Sequence, residues 1–167
     1  MQKFSVIQDE RLRVLCSYWL ARRGGRPMPR REDIDPSAIP SILPFTWLYD
    51  YVPPDRFRCR LIGEQVKRLF DPSPLGRFID EIFPPDRVPE ITNRFLSMVV
   101  RRQATRTIGS CVVSGNRRIP GERVTLPLSS DGEIADALIG ATVYDFVGHP
   151  PELLFLTESL QTTYIDL

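Results

Sequence analysis

Residues 76–87 read Gly76-Arg77-Phe78-Ile79-Asp80-Glu81-Ile82-Phe83-Pro84-Pro85-Asp86-Arg87. The middle of this stretch makes a short helical turn, and the Pro84-Pro85 pair stops it. Asp86 then stands where a capping residue opens a longer helix over residues 87–103. In that helix Ile91, Phe95, Met98 and Val99 recur at i, i+4, i+7 and i+8, an apolar face that needs a surface to cover.

The candidate surfaces lie on both sides in sequence. Upstream, residues 46–52 (TWLYDYV) are aromatic and β-branched, and Pro53-Pro54-Asp55 makes a turn. Residues 57–62 then alternate, with Phe57, Cys59 and Leu61 facing one way and Arg58 and Arg60 the other. The two runs read as an antiparallel hairpin. Downstream, residues 105–113, 123–128 and 134–146 are strand candidates, with Gly115-Asn116 and Asp131-Gly132 as the turns between them. Strands, then helices, then strands make an α+β domain with a five-stranded antiparallel sheet and helices on one face.

Ahead of this core, Ser5 and Gln8 have the spacing of a capping box, and Leu12, Leu15, Cys16, Trp19 and Leu20 repeat at helical spacing up to Gly24-Gly25. The expected helix spans residues 6–23. Residues 24–45 are too rich in proline for regular structure, apart from a turn opened by Asp35-Pro36. Ile34, Ile39, Ile42, Leu43 and Phe45 make this an ordered connection over a surface. The expected organisation is residues 1–45 as helix and connection, 46–146 as core and 147–167 as a tail packed on the domain.

The chain has 167 residues, 42% of them hydrophobic and 26% charged, enough for one folded domain. Twelve of the 16 prolines fall between Pro27 and Pro89, and none between Glu90 and Ile119, which leaves the long helix and longer strands to the second half. No apolar run approaches ~18 residues and no signal-peptide pattern opens the chain, so a cytoplasmic location without a membrane span is expected. The net charge of +1 lacks the basic excess of a dedicated nucleic-acid binder. It is unevenly spread, +6 over residues 1–31 and −7 over residues 131–167.

Enzyme signatures are sparse. The one histidine, His149, stands beside Pro150-Pro151, and Asp80 and Glu81 read as ordinary acids at a helix end. Cys16, Cys59 and Cys111 are odd in number and far apart, which suggests neither a disulfide framework nor a metal site. Arginine pairs such as Arg22-Arg23, Arg30-Arg31, Arg101-Arg102 and Arg117-Arg118 have a chemistry suited to phosphate. A small pocket enzyme and arginine-mediated nucleic-acid binding stay as alternatives on these grounds.

Residues 76–87 resemble the signature of PAS domains, in which a glycine and a basic residue lead into a small helix and a Pro-acid-Asp-Arg-like turn starts the long helix. Trp19, Pro29-Arg30, Asp33-Ile34-Asp35-Pro36, Leu43-Pro44 and Arg60-Leu61-Ile62-Gly63 are similar to a bacterial stand-alone PAS subfamily of unknown function. The likeness covers residues 12–146. It implies a sensory or regulatory module in signal transduction without catalysis, binding a small apolar, uncharged metabolite or docking a signalling protein. Haem-binding relatives need a histidine on the long helix, and residues 87–103 contain none. Light-sensing flavin relatives carry an Asn-Cys-Arg-Phe-type motif, in which none of the three cysteines here sits. No cofactor is therefore expected.

Two sets of site residues follow. Phe57, Cys59, Leu61, Ile91, Phe95, Met98 and Val124 are expected to line a ligand pocket between the long helix and the sheet. Ile7, Val14 and Tyr18 fall opposite the core face of the first helix and are expected to form a homodimer interface.

Overall fold

The computed structural model describes residues 2–113, 117–144 and 153–167. Thr46–Val52 (β1) and Arg56–Ile62 (β2) form the expected hairpin. Gln103–Val113 (β3), Arg117–Ser129 (β4) and Ala135–Tyr144 (β5) follow, longer than their predicted cores or close to them. Asp131 closes the turn between β4 and β5, its carboxylate accepting from the Glu133 and Ile134 amides at 2.7 and 2.8 Å. The sheet has six antiparallel strands in the order β2-β1-β5-β4-β3-β6, one more than the five expected. The sixth, Leu153–Asp166 (β6), comes from the C-terminal segment and pairs with β3, Thr105 opposite Tyr164 and Gln103 opposite Asp166. His149 and the Gly115-Asn116 turn lie outside the described residues, as does the Cys111 side chain.

Both faces of the sheet are covered, and this decides where the site forms. On one face lies Glu10–Arg23 (α1), burying Leu12, Leu15, Cys16 and Trp19 against Val124, Leu126, Leu128 and Ile139. Trp19 donates its indole N–H to the Pro127 carbonyl at 2.8 Å, so its polar atom is satisfied inside the core. Met28, Ile39 and Ile42 of the proline-rich connection are buried in the same cluster. The other face carries Glu64–Lys67 (α2), Ile79–Ile82 (α3) and Val88–Arg101 (α4), packed on Trp47, Tyr49, Phe57, Cys59 and Leu138.

The helix starts differ from expectation. Asp9, not Ser5, caps α1, accepting from the Arg11 amide at 2.8 Å. The Gln8 and Asp9 amides are taken instead by the Glu122 carboxylate on β4, at 2.9 and 2.7 Å, which holds residues 5–8 out of the helix. At the other end Gly24 has φ +60, a conformation glycine adopts without cost. In α4 the residue at the N-cap is Arg87 rather than Asp86, and Pro89 occupies the first turn. The turn before it closes through Glu81, whose carboxylate accepts from the Phe78 amide at 2.7 Å.

Cross-strand packing is narrow where glycine faces an aromatic ring. Trp47 lies opposite Gly140, and a Cβ on Gly140 would stand 2.3–2.5 Å from the indole ring and 2.6 Å from the Val124 carbonyl oxygen. The indole is thereby laid flat on β5 with its N–H donated to Thr142 Oγ1 at 2.9 Å. Gly140→Ala is expected to destabilise the fold by about 1–3 kcal/mol. An unchanged urea midpoint would show that the ring slides aside freely.

Candidate functional site

The face under α4 does not fill completely. A cavity of about 60 Å³ remains between strands β1, β2, β4 and β5 and helices α2, α3 and α4. That is several times the ~10–15 Å³ that one water needs. Trp47, Tyr49, Ile79, Ile91 and Phe95 form its apolar wall. Trp47 and Phe95 stack at 5.8 Å between ring centroids, and Tyr49 meets both edge-on at 5.6 Å. The Tyr49 hydroxyl is buried, which pushes its pKa up and keeps it neutral.

Ile62, Val66, Leu69, Phe70 and Phe83 extend the apolar part, and the polar part is Arg87, Arg94, Arg123, Thr142 and Tyr144. Arg123 donates from Nε to Thr142 Oγ1 at 2.9 Å and lies over the Trp47 ring at 5.8 Å. Thr142 thus accepts from both the guanidinium and the Trp47 indole. Arg94 is 10% exposed, and its one ion pair among the described residues is with the half-exposed Glu90 at 3.4 Å. Burial, with the like charge of Arg123 beside it, pushes the Arg94 pKa down to about 10. It remains a cation near neutral pH.

Of the seven residues expected to line the pocket, Ile91 and Phe95 do so. Phe57, Cys59 and Met98 are buried in the same cluster without lining the cavity. Leu61 and Val124 face the α1 side of the sheet instead. For Leu61 the cause is a β-bulge. Leu48 opposes Leu61 and Tyr49 opposes Cys59, so Arg60 is an extra residue that reverses the alternation. Arg60 turns outward to Asp50 at 3.0 Å. For Val124 the cause is burial on both sides. The apolar positions of β4, Val124, Leu126 and Leu128, serve α1, and the alternate position Arg123 is the one that meets the cavity.

The expected interface stripe on α1 is corrected similarly. Ile7 precedes the helix and is fully buried in the core. The Tyr18 hydroxyl accepts from the Asp35 amide at 2.7 Å, fastening α1 to the connection of the same chain. Of the three, Val14 stays exposed, at 40%.

Cys16 and Cys59 are buried free thiols. Burial pushes Cys16 up to about 12 and Cys59 up to about 11. Both should therefore resist a thiol reagent at pH 8 in the folded protein and react once it is unfolded, as read by peptide mass mapping. Rapid labelling of either in the native state would contradict their placement.

Comparison with known families settles the fold's kinship. The sequence matches the family described as PAS domain over residues 7–143. The chain belongs to the PAS domain family. As a PAS domain it is placed among sensory modules of signal transduction. No curated protein matches it. Solved structures similar to this PAS domain include a LOV protein of Rhodobacter sphaeroides, at 10% identity over 69% of this chain and 70% of that one, with a TM-score of 0.45. The light-state LOV domain of the blue-light photoreceptor Aureochrome1 matches at 17% identity, covering 66% and 88% of the two chains, with a TM-score of 0.42. A sensory box histidine kinase/response regulator from Burkholderia thailandensis matches at 14% identity, covering 65% and 81%, with a TM-score of 0.36. Among the described residues of the PAS domain, no helix is long and apolar enough to cross a membrane.

Proposed function

We propose that this PAS domain is a sensor that holds a small molecule in the cavity under α4 and performs no chemistry on it. The observation that carries this is the cavity itself, an aromatic wall with a few convergent polar groups, the composition that ligand sites have. Its walls come from four strands, β1, β2, β4 and β5, and from α2, α3 and α4, so an occupant bears on the sheet and the helices together. Occupancy then shifts the population of two arrangements of α4 against the sheet, and a partner protein reads that shift at the surface.

Native mass spectrometry of protein purified without refolding tests the proposal. The expected spectrum shows a small molecule retained by the wild type and lost from Ile91→Phe, which fills the cavity. A bare polypeptide that also takes up no added probe, or a bound mass indifferent to Ile91→Phe, would overturn it. The same spectrum gives the mass of the assembly. A homodimer through α1 would use Val14 as its exposed apolar contact, so Val14→Glu should yield a folded monomer. A wild type already monomeric at high micromolar concentration, or a Val14→Glu dimer, ends that part of the proposal.

A further inference from the structure

The polar part of the cavity lining carries a charge imbalance that an uncharged metabolite would leave in place. Arg87, Arg94 and Arg123 line the cavity, and no carboxylate does so among the described residues. The nearest acid, Glu90, is 49% exposed and is shared, at 3.4 Å from Arg87 and 3.4 Å from Arg94. Arg123 has a hydroxyl and an indole face as its partners, and no carboxylate within 4.0 Å among the described residues. Arg94, nearly buried beside the partly buried Arg123 and with one half-exposed acid near it, is unfavourably placed, and an anion seated between the guanidiniums would relieve this.

We propose that the cavity takes a small carboxylate anion, its oxygens held by Arg94 and Arg123 and its apolar body against Trp47 and Phe95. This rests on the ligand-sensing function above and names its ligand class. Arginine suits the task because its planar donors match a carboxylate two at a time. Arg123 is held in place by Thr142, and Thr142 by Trp47, so the donor is oriented before any ligand arrives. A carboxylate fits better than a phosphate because the remaining walls are aromatic and aliphatic, which favours a single charge on an apolar body over a dianion.

The test compares small acids with their uncharged amides: acetate with acetamide, and propionate with propionamide, by calorimetry and thermal shift, with inorganic phosphate as a third arm. At least one acid is expected to bind and to exceed its amide by about tenfold or more. Arg94→Gln and Arg123→Gln should each lose that acid's binding by about tenfold or more while the unliganded proteins stay folded. Amides that bind as well as the acids, acids that bind both variants as well as wild type, or phosphate that displaces the acids would each overturn the carboxylate assignment. If no acid binds, the assignment falls, and the native spectrum separates the two failures. A retained neutral molecule leaves the sensing function standing, whereas a bare polypeptide removes both.

Discussion

Phe95→Ala is expected to cost about 3–5 kcal/mol of stability in urea denaturation. Phe95 is buried at the centre of the aromatic cluster, touching Trp47, Tyr49 and Phe57 with ring centroids 5.8, 5.6 and 5.3 Å apart. Truncation removes three ring contacts, each worth about 0.5–1.5 kcal/mol beyond the area buried, and leaves a void that merges with the existing cavity. Phe95→Leu keeps most of the volume and should cost markedly less. A loss below about 1 kcal/mol for Phe95→Ala would mean that α4 settles onto the sheet and refills the space. The cavity would then be a soft region of the core rather than a formed site. The variant also bears on function. At temperatures where it stays folded, the wider cavity should change how long a bound molecule is retained.

Glu122→Ala is expected to cost a similar amount, about 3–5 kcal/mol, through charge rather than volume. The Glu122 carboxylate accepts from Arg106 Nε at 2.5 Å, with both side chains only 11% exposed, and also from the Gln8 and Asp9 amides. Its loss leaves Arg106 nearly buried without a counter-charge and strips two backbone donors of their acceptor. Glu122→Ala with Arg106→Met should recover much of the loss, because the pair is removed together. Hydrogen exchange should accelerate at Gln8 and Asp9 in Glu122→Ala. Unchanged exchange there, or a double variant no more stable than the single one, would show that the N-terminal segment is held by Phe4 and Ile7 alone.

The legible parts of this protein were those governed by neighbours in sequence. The hairpin of β1 and β2 follows from an aromatic run, a proline turn and an alternating run, all within residues 46–62. The core face of α1 follows from helical spacing, and the end of α1 from a glycine that takes a positive φ. The order of elements and the stretch from Gly76 to Arg87 were enough to mark the likeness to PAS domains. One cavity residue that went unread was also within reach. Arg94 stands three residues after Ile91 and one before Phe95, on the edge of the apolar face, yet a charged residue there reads as solvated.

What only the tertiary structure decided is which way the strands face. Alternation names two sides of a strand but not which one meets α4, and with helices on both faces the apolar side need not be the pocket side. Val124 went to α1 and Arg123 to the cavity for that reason. The bulge at Arg60 has no signal within residues 57–62, since it lies in the register between two strands, where Arg60 meets Asp50 of β1. Glu122 similarly sets the start of α1 from 113 residues away. Propensity and spacing act over a few residues, whereas the pairing of a buried charge or the handedness of a face is settled only when distant strands meet.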